Sequence, residues 1–212
     1  MKLLVPGGAG YIGSHMVKYL QDRDHEVVVL DDFSTGHEWA VKGCEILRVN
    51  LLDQDMLATS LKGRQFDGVI HFAAKSLVGE SVVQPDIYYR NNVVGSLNLI
   101  NEMLRNDINN LVFSSTAAIF GNPVAEKITE DHPKNPINPY GQSKLMVENL
   151  LRDICSAYEF NATCFRYFNA AGADLSGTIG EDHDPETHLI PNVLKSAIAG
   201  GSSLKVFGND YP

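Results

Sequence analysis

The chain has 212 residues, of which 44% are hydrophobic and 20% charged, and its formal net charge at pH 7 is −9. This composition is typical of a globular protein with one substantial core. The acidic charge, without a run of Lys or Arg, argues against nucleic acid as a partner. The first apolar stretch, residues 3–5, is too short for a secretory signal or a membrane span, and Cys44, Cys155 and Cys164 form no C-x-x-C pair. We therefore expect a cytoplasmic protein that does not bind membranes.

Short apolar runs alternate with helical patterns along the chain. The runs typical of strands occupy residues 3–5, 26–30, 45–49, 68–72, 111–115 and 163–168. Apolar residues at helical spacing occupy residues 12–21, 54–61, 86–105 and 140–158. Because most of the strand runs are continuously apolar, we expect both of their faces to be covered. The alternation predicts an α/β fold with a doubly wound, Rossmann-like parallel sheet.

The later part of the chain contains two irregular stretches. Residues 123–139 include four prolines, which predicts a long surface loop. After Gly172 the chain is rich in Gly, Asp and Glu as far as His188, and a helical stretch at 189–199 and a short strand at 204–207 follow. We therefore divide the chain into a Rossmann domain, residues 1–172, and the beginning of a smaller substrate domain, residues 173–212.

A glycine-rich turn joins the first strand to the first helix. Gly7, Gly10 and Gly13 form a G-x-x-G-x-x-G pattern directly after the first strand. Gly7 permits the tight turn, Gly10 lets the backbone approach a pyrophosphate, and Gly13 lets helix and strand pack closely. The helix N-terminus supplies N–H groups and partial positive charge for that anion. Such a turn can also exist without a ligand, but its place between a strand and a helix favours a dinucleotide.

An acidic residue ends the second predicted strand. Asp31 follows the glycine turn at the expected distance, where a carboxylate accepts hydrogen bonds from ribose hydroxyls. Asp32 adds a second negative charge, and the sequence shows no Arg nearby to pair with a 2′-phosphate. These residues predict NAD, in preference to NADP, as the cofactor.

Tyr140 and Lys144 form a Tyr-x-x-x-Lys pattern at the start of a predicted helix. Asn138 and Pro139 are typical of the N-cap and the first helical position, so Tyr140 and Lys144 lie one turn apart on one face. A nearby ammonium and an oxidised nicotinamide would lower the phenol pKa from about 10, which makes Tyr140 a base near pH 7. Thr116, at the end of the fifth strand, is expected to hold the substrate oxygen beside it. The pattern is common by itself, and its combination with the glycine turn favours catalysis.

Taken together, these residues resemble the extended short-chain dehydrogenase/reductase superfamily, and within it the nucleotide-sugar epimerases. The matching segments are residues 7–13, 71–74, 78–81, 91–93, 114–118, 139–141, 166–169 and 207–212. The resemblance implies interconversion of UDP-glucose and UDP-galactose by transient oxidation at sugar C4, with bound NAD regenerated in each cycle. It also implies a homodimer packed through the helices at 86–105 and 140–158.

The resemblance assigns roles to individual residues. Beyond the three glycines, Asp31 and Asp32, the expected contacts of NAD are Tyr11, Ile12, Gly36, Asn50, Leu51, Phe72, Ala73, Ala74, Asn91, Thr116, Tyr140, Lys144 and Phe168. Among these, Asn50 and Leu51 are assigned to the adenine. The expected contacts of the nucleotide-sugar substrate are Thr116, Tyr140 and Asn169.

Two positions depart from the family pattern. Pro6 stands where Thr is usual, and Asn50 stands where an Asp accepts from the adenine amino group, a role that the amide oxygen can also fill. The chain is also shorter than the family's usual length. We therefore expect these 212 residues to bind NAD but to epimerise UDP-galactose poorly.

Two alternative functions remain open. A nucleotide-sugar 4,6-dehydratase or a UDP-glucuronate decarboxylase would carry carboxylates just after the Thr, where Ala117 and Ala118 stand. A non-catalytic NAD-sensing protein would keep the glycine turn but would need neither Tyr140 nor Lys144.

Residues 180–188 contain carboxylates and histidines, the residue types of a metal site. They lack the H-E-x-x-H and H-x-H spacings and the Gly and Glu placements of a calcium loop. The spacing therefore predicts a solvated acidic loop and no metal site.

Overall fold

The computed structural model describes residues 1–201 and 208, and the predicted strand at 204–207 lies outside the described residues. The chain divides into two compact units, Met1–Ala170 and Ala171–Pro212.

The first unit is built on a six-stranded sheet. The strands are β1 (Lys2–Pro6), β2 (Glu26–Asp31), β3 (Glu45–Arg48), β4 (Gly68–His71), β5 (Asn110–Thr116) and β6 (Asn161–Tyr167). They pair in the order β3-β2-β1-β4-β5-β6, and every neighbouring pair is parallel. The strand order reverses between β1 and β4, so the chain winds outward in both directions. The predicted doubly wound, Rossmann-like sheet is confirmed.

Helices connect the strands. They are α1 (Tyr11–Gln21), α2 (Gln54–Leu61), α3 (Val78–Val83), α4 (Pro85–Tyr88), α5 (Gly95–Arg105), α6 (Pro139–Ala157) and, in the second unit, α7 (Leu189–Ile198). Short 3₁₀ turns occupy Glu38–Val41 and Ala117–Phe120. The predicted helical stretch over 86–105 is confirmed, and it contains a π-helical segment, Tyr89–Val94, between α4 and α5. Such a π-helical stretch interrupts the regular helical ladder and is frequent at functional sites.

Apolar side chains cover both faces of the sheet. Along β1, Leu3 and Val5 pack on one side with Val17 of α1, and Leu4 packs on the other side with Leu99 of α5. Neighbouring strand residues point to opposite faces, so a strand covered on both sides is apolar at every position. Each fully buried side chain of this kind contributes about 1.5–3 kcal/mol. This explains why the strand runs showed no alternation of polar and apolar residues.

The described part of the second unit contains little apolar packing. Residues 171–188 form an irregular loop that leads into α7. Among the described residues of this unit, Ile179 is the one buried hydrophobic side chain. On α7, Leu189 is 74% exposed and Ile198 is 87% exposed.

Candidate active site

The carboxyl ends of the parallel strands lie side by side along one edge of the sheet. Asp31 ends β2, Gly7 follows β1, Phe72 follows β4 and Thr116 ends β5. Ligands of doubly wound sheets bind at this edge, where the strand order reverses. From β2 to β5 the edge spans three strand spacings, roughly 14 Å. The fold therefore places the predicted site residues in one row.

The glycine turn after β1 packs against the segment after β4. Gly7 has a φ of +76°, and a Cβ on it would lie 2.2 Å from the backbone nitrogen of Ala73. A Cβ on Gly13 would lie 2.1 Å from the carbonyl oxygen of Gly7. At Gly10, in contrast, the nearest atom would be 3.5 Å away. The packing of the protein itself thus requires Gly7 and Gly13, whereas a Cβ on Gly10 would make only an ordinary van der Waals contact.

Gly10 is also the N-cap residue of α1. It makes no side-chain cap hydrogen bond, and the first turn carries no acidic residue. The N-terminal end of a helix presents N–H groups and partial positive charge. The N-terminus of α1 at Gly10 is therefore suited to an anionic group.

Asp31 lies buried at the end of β2, with 9% of its surface exposed. Its Oδ2 accepts a hydrogen bond from the Ala9 N–H at 2.9 Å, and its Oδ1 accepts one from the Phe33 N–H at 2.9 Å. Burial raises the pKa of Asp31, and these two N–H donors oppose that shift. The carboxylate thereby ties the glycine turn to the loop after β2.

Arg48 corrects the expectation that no Arg lies near Asp31. Arg48 ends β3 and is the register partner of Asp31 in the adjacent parallel strand. Its guanidinium pairs with Glu38 at 2.8 Å and lies 4.1 Å over the centre of the Phe33 ring. The two residues are far apart in the sequence, and only the pairing of β2 with β3 makes them neighbours.

Asn50 forms hydrogen bonds within the same corner of the sheet. Its Nδ2 donates to Oδ2 of Asp32 at 2.7 Å, and its Oδ1 accepts from the Leu52 N–H at 2.8 Å. The neighbouring Leu51 is 8% exposed and belongs to the apolar core. Asn50 therefore positions the loops that follow β2 and β3.

Helix α6 begins where it was predicted. The side chain of Asn138 accepts a hydrogen bond from the Gly141 N–H at 2.8 Å, and Pro139 occupies the first turn. A Cβ on Gly141 would lie 2.6 Å from the carbonyl oxygen of Ala118, so the helix packs closely on the turn after β5. The first residues of α6 are thus held against the end of that strand.

The three predicted catalytic side chains meet at this strand end. The Thr116 side chain lies close enough to Tyr140 to lower the pKa of the Tyr140 phenol. Lys144 Nζ donates to the carbonyl oxygen of Ser114 at 2.8 Å and lies 4.8 Å over the Phe113 ring. Only 3% of Lys144 is exposed. The one-turn spacing along α6 therefore brings both Tyr140 and Lys144 to β5.

Burial dominates the electrostatics of these groups. It raises the pKa of Tyr140, and the nearby Thr116 side chain partly opposes that rise. Burial lowers the pKa of Lys144 to about 7. Burial and the nearby charge of Lys144 lower the pKa of His71 to about 3. The protein groups by themselves therefore keep the Tyr140 phenol protonated at neutral pH, and the predicted lowering depends on the second cation, an oxidised nicotinamide.

Sequence reasoning missed a polar network under α6. Glu148 is 8% exposed and accepts from the Ser115 hydroxyl at 2.6 Å. Arg166 donates to both oxygens of Glu148, at 3.0 Å and 2.9 Å. Burial raises the pKa of Glu148, but the hydrogen bonds from Arg166 and Ser115 outweigh it and hold the pKa below its usual value. The sequence contains a signal for this network, because Glu148 follows Lys144 by four residues and lies on the same helix face.

A second missed network lies in the π-helical stretch. Asn92, which is 2% exposed, donates to the Ser143 hydroxyl at 3.0 Å and to the Lys75 carbonyl oxygen at 3.0 Å. Ser143 in turn donates to the carbonyl oxygen of Tyr140 at 2.7 Å. The neighbouring Asn91, which the resemblance selected, donates to Oδ1 of Asn92 at 3.2 Å. Asn92 thereby fixes the first turn of α6.

The remaining predicted residues lie at or near the same edge of the sheet. The side chains of Phe168 and Asn169 follow β6 and are exposed, Phe168 at 69%. A Cβ on Gly36 would lie 2.7 Å from the backbone carbon of Ala9, so the segment after Asp31 closes against the glycine turn. The backbone N–H groups of Phe72 and Ala73 both donate to the Pro6 carbonyl oxygen, at 2.8 Å and 3.0 Å.

Residues 3–212 match the family described as the NAD dependent epimerase/dehydratase family. The chain belongs to this family. The match confirms the resemblance that the motifs indicated, and the family description agrees with the prediction of NAD as the cofactor.

Several members of the family are similar to the chain over nearly all of its length. A UDP-glucose 4-epimerase from Halalkalibacterium halodurans is 48% identical over 211 residues, which are 100% of this chain and 63% of that protein. A solved UDP-glucose 4-epimerase from Brucella ovis, in complex with NAD, has a TM-score of 0.95 and 45% identity, and the match covers 99% of this chain and 65% of that one. For the enzyme from Bifidobacterium longum, in complex with NAD+ and UDP, the TM-score is 0.93 and the identity 34%, with 100% and 66% of the two chains covered. The chain therefore spans less than two thirds of the length of these relatives.

None of the described helices is both long enough and apolar enough to cross a membrane.

Proposed function

We propose that the protein interconverts UDP-glucose and UDP-galactose by transient oxidation at sugar C4, with NAD as a bound cofactor. The observation that carries this proposal is the placement of Tyr140 against Thr116 at the end of β5, beside the buried Lys144. The names of the similar proteins, UDP-glucose 4-epimerases, support the choice of substrate.

Along the sheet edge, the residues suited to the adenine ribose, the pyrophosphate and the nicotinamide follow one another in the order in which NAD joins these parts. Asp31 at the end of β2 is placed for the adenine ribose, and the N-terminus of α1 at Gly10 is placed for the pyrophosphate. Thr116 and Tyr140 at the end of β5 are placed for the nicotinamide and the sugar. When bound, NAD supplies the acceptor and the donor of the hydride at C4.

The side chains of this protein supply the proton transfer. Tyr140, as a phenolate, takes the proton of the sugar 4-hydroxyl while C4 is oxidised, and it returns that proton when C4 is reduced on the opposite face. The Thr116 hydroxyl holds the same sugar oxygen beside Tyr140. Asn169 contacts the diphosphate and retains the keto sugar while it turns, because binding energy from such remote groups maintains the reacting geometry.

The same residues disfavour the alternatives. A dehydratase or decarboxylase must move a second proton, and the turn after Thr116 offers only Ala117 and Ala118 at the first two positions. A protein that only senses NAD has no use for a tyrosine placed against Thr116 or for a fully buried lysine, which is costly to keep in a core.

Two measurements test the proposal. Heat denaturation of the purified protein is expected to release NAD or NADH, identified by enzymatic assays that separate them from NADP. The protein encoded by the complete gene is expected to convert UDP-galactose into UDP-glucose, detected through a coupled UDP-glucose dehydrogenase. Recovery of mostly NADP would contradict the cofactor assignment, and a 4-keto-6-deoxy sugar as the product would identify a dehydratase.

We also propose a homodimer packed through α5, α6 and the π-helical stretch before α5. Apolar side chains are exposed on these elements, Val94 at 42% and Met146 at 40%. An exposed apolar patch on a helix pair is a suitable dimer contact. Light scattering is expected to give the mass of two chains for the wild type and a lower mass for Met146→Lys. A monomeric wild type would contradict this proposal.

We further propose that the protein acts in the cytoplasm. Burial raises the pKa of the Cys44 thiol, and burial likewise raises the pKa of Cys164 to about 11. Both groups therefore stay as thiols, which suits a reducing compartment. Cell fractionation with an antibody against the chain tests the location.

A further inference from the structure

Four side chains of the second unit converge before α7, and they are named here the 181–188 cluster. Its members are Glu181, His183, Glu186 and His188. Each offers one atom of a type that binds metals, and these four atoms all lie within 4.8 Å of one another. His188 is the N-cap residue of α7, so the cluster connects the irregular loop to the start of that helix.

The histidine nitrogens of the 181–188 cluster lie 2.9–3.7 Å from carboxylate oxygens, and Glu186 faces the two histidines with different oxygens. His183 Nδ1 lies 3.6 Å from Oε1 of Glu181 and 3.7 Å from Oε2 of Glu186. His188 Nδ1 lies 2.9 Å from Oε1 of Glu181 and 3.1 Å from Oε1 of Glu186. Zinc bonds to histidine nitrogen and carboxylate oxygen are about 2.0–2.2 Å long, which puts tetrahedral ligand atoms roughly 3.4 Å apart. The four histidine–carboxylate separations lie close to that value, and Glu186 must present a single oxygen to both histidines to complete the set.

The two carboxylates provide an independent observation. The side chains of Glu181 and Glu186 are only 8% and 6% exposed. Oε1 of Glu181 and Oε2 of Glu186 are buried, and neither accepts a hydrogen bond of good geometry. Buried carboxylate oxygens without such bonds are costly unless a positive charge compensates them. Among the described residues, the positive charges available to them are the two histidines, when protonated, and Lys195, which lies 3.9 Å from Glu186 and is 61% exposed.

We propose that the 181–188 cluster binds one divalent transition-metal ion, with zinc as the best match. Two histidine nitrogens and two carboxylate oxygens form a four-ligand set of the kind that zinc binds tetrahedrally, whereas calcium and magnesium prefer oxygen alone. Four protein ligands leave no open position for a substrate, so the ion has a structural role. It fastens the loop to α7 in a unit whose described part has one buried hydrophobic side chain.

The expectation of a solvated acidic loop came from linear spacing. The ligands occur at positions i, i+2, i+5 and i+7, which match none of the helical zinc motifs. An irregular loop follows no fixed period, so its spacing does not report which side chains meet. The convergence is visible only in the folded chain.

The experiment uses the untagged 212-residue chain after dialysis against a chelator. Titration calorimetry with zinc chloride is expected to give about one ion per chain, and cobalt(II) is expected to give the strong visible absorption of a tetrahedral site. Glu181→Gln and His188→Ala are each expected to weaken zinc binding at least about 10-fold. Asp184→Asn is the matched control, because it removes an exposed negative charge from the same loop and leaves the four ligands in place.

Each result of these measurements either supports or overturns the proposed metal site. Absence of zinc binding, or the weak absorption of octahedral cobalt, would overturn the proposal. So would equal zinc affinity in Asp184→Asn and Glu181→Gln, because that result indicates attraction by net charge alone. If His188→Ala fails to fold, the wild-type cobalt spectrum and Glu181→Gln still decide the question. None of these residues belongs to the Tyr140 site, so the result is independent of the proposed enzymatic activity.

Discussion

The sheet of Met1–Ala170 buries apolar side chains on both faces, whereas the described part of Ala171–Pro212 buries Ile179 and leaves the apolar side chains of α7 exposed. The partners of the buried carboxylates also differ between the two units. In the first unit, the buried Glu148 is bonded to Arg166 and Ser115. In the second, Glu181 and Glu186 face two histidines. The stability of the first unit comes from apolar burial. The stability of the second unit depends on the positive charge that neutralises Glu181 and Glu186.

Truncation of a core leucine tests this contrast with the largest expected effect. Leu99→Ala removes a fully buried side chain of the first unit, so the free energy of unfolding is expected to fall by about 2–5 kcal/mol. Leu194→Ala, on α7, removes a side chain that is 56% exposed and is expected to cost less than about 1 kcal/mol. Urea denaturation followed by circular dichroism measures both. Equal losses would show that the two units are stabilised alike.

Removal of the phenol tests whether the first unit carries the chemistry. Tyr140→Phe keeps the ring but deletes the proton acceptor, so turnover of UDP-galactose by the protein from the complete gene is expected to fall on the order of 10²-fold or more. NAD content is expected to stay unchanged. Tyr158→Phe is the control, because Tyr158 is exposed at the other end of α6. Near-normal turnover in Tyr140→Phe would remove this residue from the mechanism.

The buried lysine predicts how the stability of the first unit depends on pH. The pKa of Lys144 is lowered to about 7 in the folded chain, whereas an unfolded lysine titrates near 10.4. Between about pH 7 and about pH 10.4 the unfolded chain binds more protons than the folded chain. The free energy of unfolding is therefore expected to rise with pH, by at most about 1.4 kcal/mol per pH unit.

Lys144→Met is expected to remove that rise. Urea midpoints between pH 7 and pH 9 measure the effect, and Lys42→Met, at an exposed lysine, is the matched control. A rise that persists in Lys144→Met would assign the pH dependence to another group.

The smallest expected effect concerns Glu148. Hydrogen bonds from Arg166 and Ser115 hold its pKa below the usual value despite burial, so its contribution is complete above about pH 4.3 and is lost as the pH falls through the lowered pKa. Glu148→Gln is expected to flatten the acid side of the stability profile. Thermal melts between pH 3 and pH 6 measure this, and an unchanged acid limb would show that Arg166 does not stabilise the carboxylate.

Local patterns predicted much of the first unit. The bounds of α2 agree fully with the prediction, and Asn138 and Pro139 begin α6 as expected. Capping and helix periodicity depend on residues within one or two turns, so they can be read along the chain. The π-helical segment within the predicted helical stretch 86–105 could not be predicted, because Asn92 contacts Lys75 and Ser143, which are distant in sequence.

The sequence by itself determined the strand and helix alternation, the glycine turn after β1 and the one-turn spacing of Tyr140 and Lys144. Only the tertiary structure decided that Arg48 lies beside Asp31, that Glu148 joins Arg166, and that Glu181, His183, Glu186 and His188 converge. The reason is physical: helix and turn geometry repeat over a few residues, whereas contacts between elements depend on strand order, register and loop path. Those properties belong to the folded chain as a whole.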